Sequence, residues 1–260
     1  MKAAKSFDLE TLHKGCQSIY DEHSNLIFNG EWDSKALFET VTLGLGGAEL
    51  SGKRALVMAS NTSGLCLELA RAGASVFACE PDPYKNSKAV VKGLLDDCVE
   101  REGLNLEFFD TDFFTTHELI QSNDRLNQEL IIICFGIIYH FRDIIYALEY
   151  LGALPHERLL ISTQTHPTDA FSIQNRIDPE VIRIPDFWVN HRDTISGWHF
   201  SRPLFEAYLS SVGYTDIHPI TDSNLNFPRK PAGHTNSAYY AAKHEKRNDF
   251  QARITEYLPR

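Results

Sequence analysis

The chain has 260 residues, 43% of them apolar and 23% charged, and a formal net charge of -10. These values exclude a disordered or fibrous class and allow one large core, or one core with a modest appendage. The acidic balance runs against indiscriminate attachment to nucleic acid, whose phosphates need a basic surface.

The first expected elements lie in the polar N-terminal part. From Phe7 to Leu45 the spacing of Leu9, Leu12 and Ile19 predicts one helical face, and that of Trp32, Leu37, Phe38, Val41 and Leu45 a second. Gly44, Gly46 and Gly47 end that pattern. Residues 1–50 therefore read as a helical extension or lid, and 51–260 as the main domain. Met1 to Ser6 carries no apolar leader, and the apolar runs fall well short of the ~20 residues that span a bilayer, so neither a secreted nor a membrane protein is expected.

Strands and helices then alternate. Arg54 to Ala59 reads as a buried strand, Leu65 to Arg71 as a helix closed by Gly73, Ser75 to Glu80 as a second strand, Tyr84 to Glu100 as a helix and Leu104 to Phe109 as a third strand. Leu130-Ile-Ile-Ile-Cys-Phe135 is the most apolar run, as suits a strand covered on both faces; Asp143 to Leu151 is the following helix and Arg158 to Thr163 a fifth strand. Such alternation favours right-handed crossovers into an open, mostly parallel sheet with helices on both faces, which binds ligands beyond the carboxyl ends of its strands. The α/β class expected is Rossmann-like.

From Gln164 to Pro203 the alternation stops in a polar, aromatic-rich insertion, the kind of segment that usually forms a lid or binding loop. Leu204 to Val212 is then a helix, and Tyr214 to Ile220 and Ser237 to Lys243 are strands of a C-terminal antiparallel hairpin. The insertion supplies Arg176, His191, Arg192, Trp198 and His199 as candidate substrate-binding residues, and its basic groups suit an anionic acceptor. Its histidines and aspartates lack the tight helical spacing of metal ligands, so no metal is expected. The five scattered cysteines, Cys16, Cys66, Cys79, Cys98 and Cys134, read as reduced thiols of a cytoplasmic protein.

Two features of the strand ends carry chemistry. The turn Ser60-Asn61-Thr62-Ser63-Gly64, between a strand and a helix, lets backbone approach a ligand at a helix N-terminus. Roughly 20 residues later Glu80 ends the next strand, where a carboxylate can accept hydrogen bonds from both ribose hydroxyls of a nucleoside. An ordinary capped turn and a solvated glutamate would read alike. Tyr139 and His140, just past the apolar strand, are the candidate catalytic residues, with a hydrogen-bonded core pair as the other reading.

The segment Ala59 to Ala74 resembles the first motif of class I S-adenosylmethionine-dependent methyltransferases, Glu80-Pro81-Asp82-Pro83 is similar to the second, and Phe135-Gly-Ile-Ile-Tyr-His-Phe-Arg-Asp143 resembles a segment of the branch that includes the tRNA wobble-uridine carboxymethyltransferase. Ala59 and Ser63 stand where the first motif carries glycines, and Val57 where it carries an acid. The resemblance implies S-adenosylmethionine as cofactor, with Ser60, Asn61, Thr62 and Gly64 against its methionine and ribose parts and Glu80 on the ribose. It further implies Asp112 on the adenine amino group, Phe113 flanking the ring, and the Phe135-Gly136 backbone near the methionine end. The expected activity is methyl transfer to an O, N or C nucleophile of a small polar metabolite. Modification of tRNA and noncatalytic binding on a decayed scaffold stay open as alternatives.

Overall fold

The computed structural model describes residues 17–30, 32–80, 85–126, 130–141, 143–165, 173–175, 198–220 and 237–244. The chain divides into two compact units, one of residues 1–113 with 223–230, the other of 114–222 with 231–260.

The first unit begins with a hairpin of two short antiparallel strands, β1 (Ile19–Tyr20) and β2 (Leu26–Phe28). The helix expected across Ile19 is not formed there, because Asp21 builds a turn instead. Its Oδ1 accepts the N–H groups of His23 (2.9 Å) and Asn25 (2.7 Å), a local bond that competes with helix formation. Leu9 and Leu12 lie outside the described residues. The second expected face is helical: α1 (Ser34–Gly44) starts at Asp33, whose carboxylate accepts the Lys35 N–H, and it buries Leu37 and Val41.

Three parallel strands follow, in the order β3 (Arg54–Met58), β4 (Ser75–Cys79) and β5 (Leu106–Phe109), joined by α2 (Gly64–Arg71) and α3 (Lys85–Glu102). Register places Met58 beside Cys79 and Cys79 beside Phe109, so the three carboxyl ends are level. The turn at 59–64, Glu80 and the segment at 112–113 all leave from that one edge. Arg71 at the end of α2 bonds Glu102 of α3 (2.8 Å) and the Tyr20 carbonyl (3.1 Å), tying both helices to the hairpin.

In the second unit β6 (Leu130–Cys134) is buried throughout and pairs in parallel with β7 (Arg158–Gln164) through the crossover helix α5 (Ile144–Ala153). The strand order is β10–β11–β7–β6, with β11 (Ser237–His244) antiparallel to both β7 and β10 (Tyr214–Pro219). The expected C-terminal hairpin is therefore present, though its last strand sits inside the sheet. Between β6 and its neighbours in sequence the unit adds α4 (Thr116–Ser122), for which the short polar segment gave no periodic signal.

The expected irregular insertion is partly regular. β8 (Ile173–Asn175) and β9 (Trp198–Phe200) pair antiparallel, and Thr165 bridges Phe200. Phe200 anchors the ribbon against Phe205 of α6 (Arg202–Ser211), which in turn packs on Tyr240 of β11. That apolar anchor overrides the loop-like composition around it.

Candidate functional site

The first unit gathers a connected group at the level strand ends. Ala59, Asn61 and Ser63 all have positive φ (55°, 56° and 59°), so the chain from β3 to α2 turns through three left-handed residues without using glycine. Two of these are the positions where the methyltransferase motif carries glycine. Each such residue costs roughly 1–2 kcal/mol unless its surroundings hold it.

Hydrogen bonds do hold it. Asn61 donates its N–H to Glu80 Oε2 (2.8 Å), and its own side-chain oxygen accepts the N–H groups of Thr62 (2.6 Å) and Gln17 (3.2 Å). The Ser63 N–H goes to the Ser60 carbonyl (2.8 Å), and the Ser63 hydroxyl donates to the Ser60 hydroxyl (2.9 Å). The Leu65 N–H is taken by Gln17 Oε1 (2.8 Å). Four N–H groups of an anion-cradle type of turn are thus used inside the protein. What the turn offers a ligand is a fixed backbone surface and the Glu80 carboxylate.

The structure brings Ser60, Asn61, Thr62, Gly64 and Glu80 together at the carboxyl ends of β3 and β4. Ser60, Thr62 and Gly64 are buried, Asn61 is exposed and Glu80 is half-buried. Asp112 is exposed and Phe113 is buried, both just past β5. The carboxylate of Glu80 accepts the Asn61 N–H, and a carboxylate is a group that can accept from a pair of vicinal hydroxyls.

In the second unit Phe135 and Gly136 follow β6. Gly136 has φ +76° and gives its N–H to Ser162 Oγ of β7 (2.8 Å), so a ligand there would meet the glycine's bare Cα and its carbonyl, not its donor. Tyr139 is 5% exposed, inside a single 3-10 turn, Ile138–His140. His199 is fully buried in β9, opposite Gln174. The side chains of His140 and Trp198, and all of Arg176, His191 and Arg192, lie outside the described residues.

Gln17 is a residue of this group that no sequence pattern points to. It is bound to the turn through its N–H, its carbonyl, which accepts the Thr62 hydroxyl (2.9 Å), and its side chain, across separations of 44 to 48 positions. No local pattern marks such a contact. Behind the site, burial pushes the thiol of Cys66 up to about 12 and that of Cys79 higher still, so both are neutral packing groups and not nucleophiles. Among the described residues no group of three His, Cys, Asp or Glu side chains could hold a metal, and no helix is long and apolar enough to cross a membrane.

No family model and no curated protein matches this sequence. Solved structures do match. The N-terminal domain of EvdMO1, crystallised in the presence of S-adenosylhomocysteine and D-fucose, is 16% identical with a TM-score of 0.56, covering 91% of this chain and 93% of its own. The magnesium protoporphyrin IX methyltransferase of Synechocystis PCC 6803, with bound S-adenosylhomocysteine, is 14% identical with a TM-score of 0.50, covering 81% and 82%. The 1,6-didemethyltoxoflavin N1-methyltransferase of Burkholderia thailandensis is 13% identical at the same TM-score, covering 82% and 78%. The mostly parallel strands with their helices and the antiparallel C-terminal pair have the Rossmann-like fold of the class I, S-adenosylmethionine-dependent methyltransferases.

Proposed function

We propose that this chain transfers a methyl group from S-adenosylmethionine to an O, N or C nucleophile of a small polar molecule. The observation that carries the reading is Glu80, presented at the carboxyl end of β4 and hydrogen-bonded to the turn that follows β3. This is where an α/β sheet of this kind binds the ribose of a nucleoside. The fold matches those of proteins crystallised with S-adenosylhomocysteine.

When bound, the cofactor supplies an electrophilic methyl carbon on a sulfonium. The rest is positioning, which can provide most of the acceleration of such a displacement. In this reading Glu80 accepts the ribose hydroxyls, Asp112 accepts the adenine amino group, and Phe113 flanks the ring. The backbone at Ser60 to Gly64 and at Phe135-Gly136 shapes the remainder. Tyr139 and His140 orient the acceptor, and His140 takes its proton where one must leave. Arg176, His191, Arg192 and Trp198 bind the acceptor, the basic groups matching an anionic one, while the fully buried His199 supports the β8–β9 ribbon from within. Buried reduced Cys66, Cys79, Cys98 and Cys134 fit the cytoplasm.

Calorimetry with S-adenosylhomocysteine, together with mass spectrometry of any ligand retained on purification, tests this. Saturable binding of one equivalent is the expected result. A folded protein that gives no binding at millimolar ligand would remove the proposal.

A further inference from the structure

We propose that Gln17 is a positioning residue for the nucleoside site, holding the 59–64 turn in the shape that presents Glu80. The inference rests on the methyltransferase reading for what the site binds, and on the geometry for what Gln17 does.

Gln17 is 8% exposed and meets the turn with three groups at once: its N–H on Asn61 Oδ1, its carbonyl under the Thr62 hydroxyl, and its carboxamide oxygen on the Leu65 N–H. The contact is close-packed as well as hydrogen-bonded. Any Cβ on Gly64 would overlap the Ser18 carbonyl, so the strand entering β1 lies directly against the first turn of α2. On its other side this strand is fixed by the Ser18 N–H to the Trp32 carbonyl (2.7 Å) and by Ser18 Oγ, which accepts the Gly30 N–H (3.1 Å).

Asn61 is the link. It sits at positive φ, and the oxygen that receives Gln17 belongs to the residue whose N–H is bonded to Glu80. Three left-handed residues within five positions would relax toward cheaper backbone conformations if their external bonds were removed. Gln17 bonds the middle of the strained stretch at Asn61 through its backbone N–H, and through its carboxamide oxygen it pins the start of α2 at Leu65, two positions beyond Ser63. A loosened turn would leave the Glu80 carboxylate with several orientations, and part of the binding free energy would go into selecting the competent one.

The test uses the whole 260-residue chain and S-adenosylhomocysteine as the probe. Gln17→Leu keeps the side chain's bulk and removes its acceptor; Gln17→Glu keeps an acceptor at a helix N-terminus. The dissociation constant should rise about tenfold in Gln17→Leu, the scale of one lost buried hydrogen bond, and return to the wild-type value in Gln17→Glu. In a Glu80→Ala background Gln17→Leu should change binding by less than about twofold, because the group it positions is gone. Backbone amides at 61–65, measured by hydrogen exchange without ligand, should exchange faster in Gln17→Leu and normally in Gln17→Glu. Should Gln17→Leu fail to fold, Gln17→Met keeps an unbranched side chain without the carboxamide acceptor for the Leu65 N–H, and the same loss is expected.

Unchanged affinity, unchanged exchange at 61–65, or an equal loss with and without Glu80 would overturn the role given to Gln17. Absence of binding to the wild type, with exchange at 61–65 still dependent on Gln17, would instead overturn the nucleoside reading and leave Gln17 as a fold contact alone.

Discussion

Ala59 and Ser63 occupy the same unusual backbone region, yet glycine at the two positions should have different effects. Ala59 has φ 55°, and a methyl group is all it would lose on substitution. Relief of left-handed strain is worth roughly 1–2 kcal/mol, and the added freedom of glycine in the unfolded chain returns about 0.4–1 kcal/mol. Ala59→Gly should therefore stabilise the protein by about 0.5–1 kcal/mol, a rise in Tm of about 1–4 °C at this chain length. Ser63, at φ 59°, gains the same relief but gives up the buried hydroxyl bond to Ser60, worth about 0.5–1.5 kcal/mol. The net for Ser63→Gly is about zero or below. Urea titration followed by circular dichroism measures both, with equal m-values confirming that stability alone has changed. A Ser63→Gly protein more stable than Ala59→Gly would refute the reasoning, since it would mean that the hydroxyl pair contributes nothing to the turn.

Glu80→Ala should weaken S-adenosylhomocysteine binding by about 1–3 kcal/mol, read by calorimetry, with Glu80→Gln intermediate because it keeps an acceptor for the Asn61 N–H. Gly136→Ala should destabilise the protein by roughly 1–2 kcal/mol in thermal melts, since φ is +76° there. Burial alone would raise the Glu102 carboxyl, but the Arg71 guanidinium outweighs it and holds the group below its ordinary 4.5. A depressed carboxyl contributes stability above its unfolded value, lost as pH falls through the folded one. The stability gap between wild type and Glu102→Gln should therefore be widest near neutrality and close as the pH is lowered past 4.5 in acid titrations. His140→Ala should lower turnover of an accepted substrate and flatten its pH–rate profile, with cofactor affinity within about threefold of wild type; an unchanged profile would exclude a general base there.

Much of the architecture was legible because the buried strands carry their own signal. Leu130 to Cys134 is apolar at every position and buried at every position, and Arg54 to Met58 and Ser75 to Cys79 alternate with the helices expected after them. The hairpin at 19–28 was not legible, since Ile19 fits a helical face and only the Asp21 side chain decides for the turn. The ribbon of β8 and β9 was hidden for a related reason: three-residue strands leave too short a pattern to count. In the candidate site, Glu80 was found by its distance from the turn along the chain, whereas Gln17 depends on a long-range contact that no spacing encodes.

The place of β11 has a consequence for how the second unit is made. This strand, residues 237–244, lies between β7 and β10, both of which precede it in the chain, and Tyr240 on it is packed against Phe205. During synthesis β7 and β10 must leave the ribosome before the strand that joins them exists, each with an unpaired edge. The unit therefore closes late, by insertion of β11, and the nascent chain is exposed to edge-to-edge association until residue 244 has emerged. Emergence of β11, more than the appearance of β6 and β7, should set when this half becomes resistant to protease, and a ribosome stalled between β10 and β11 should carry a second unit that is still digested.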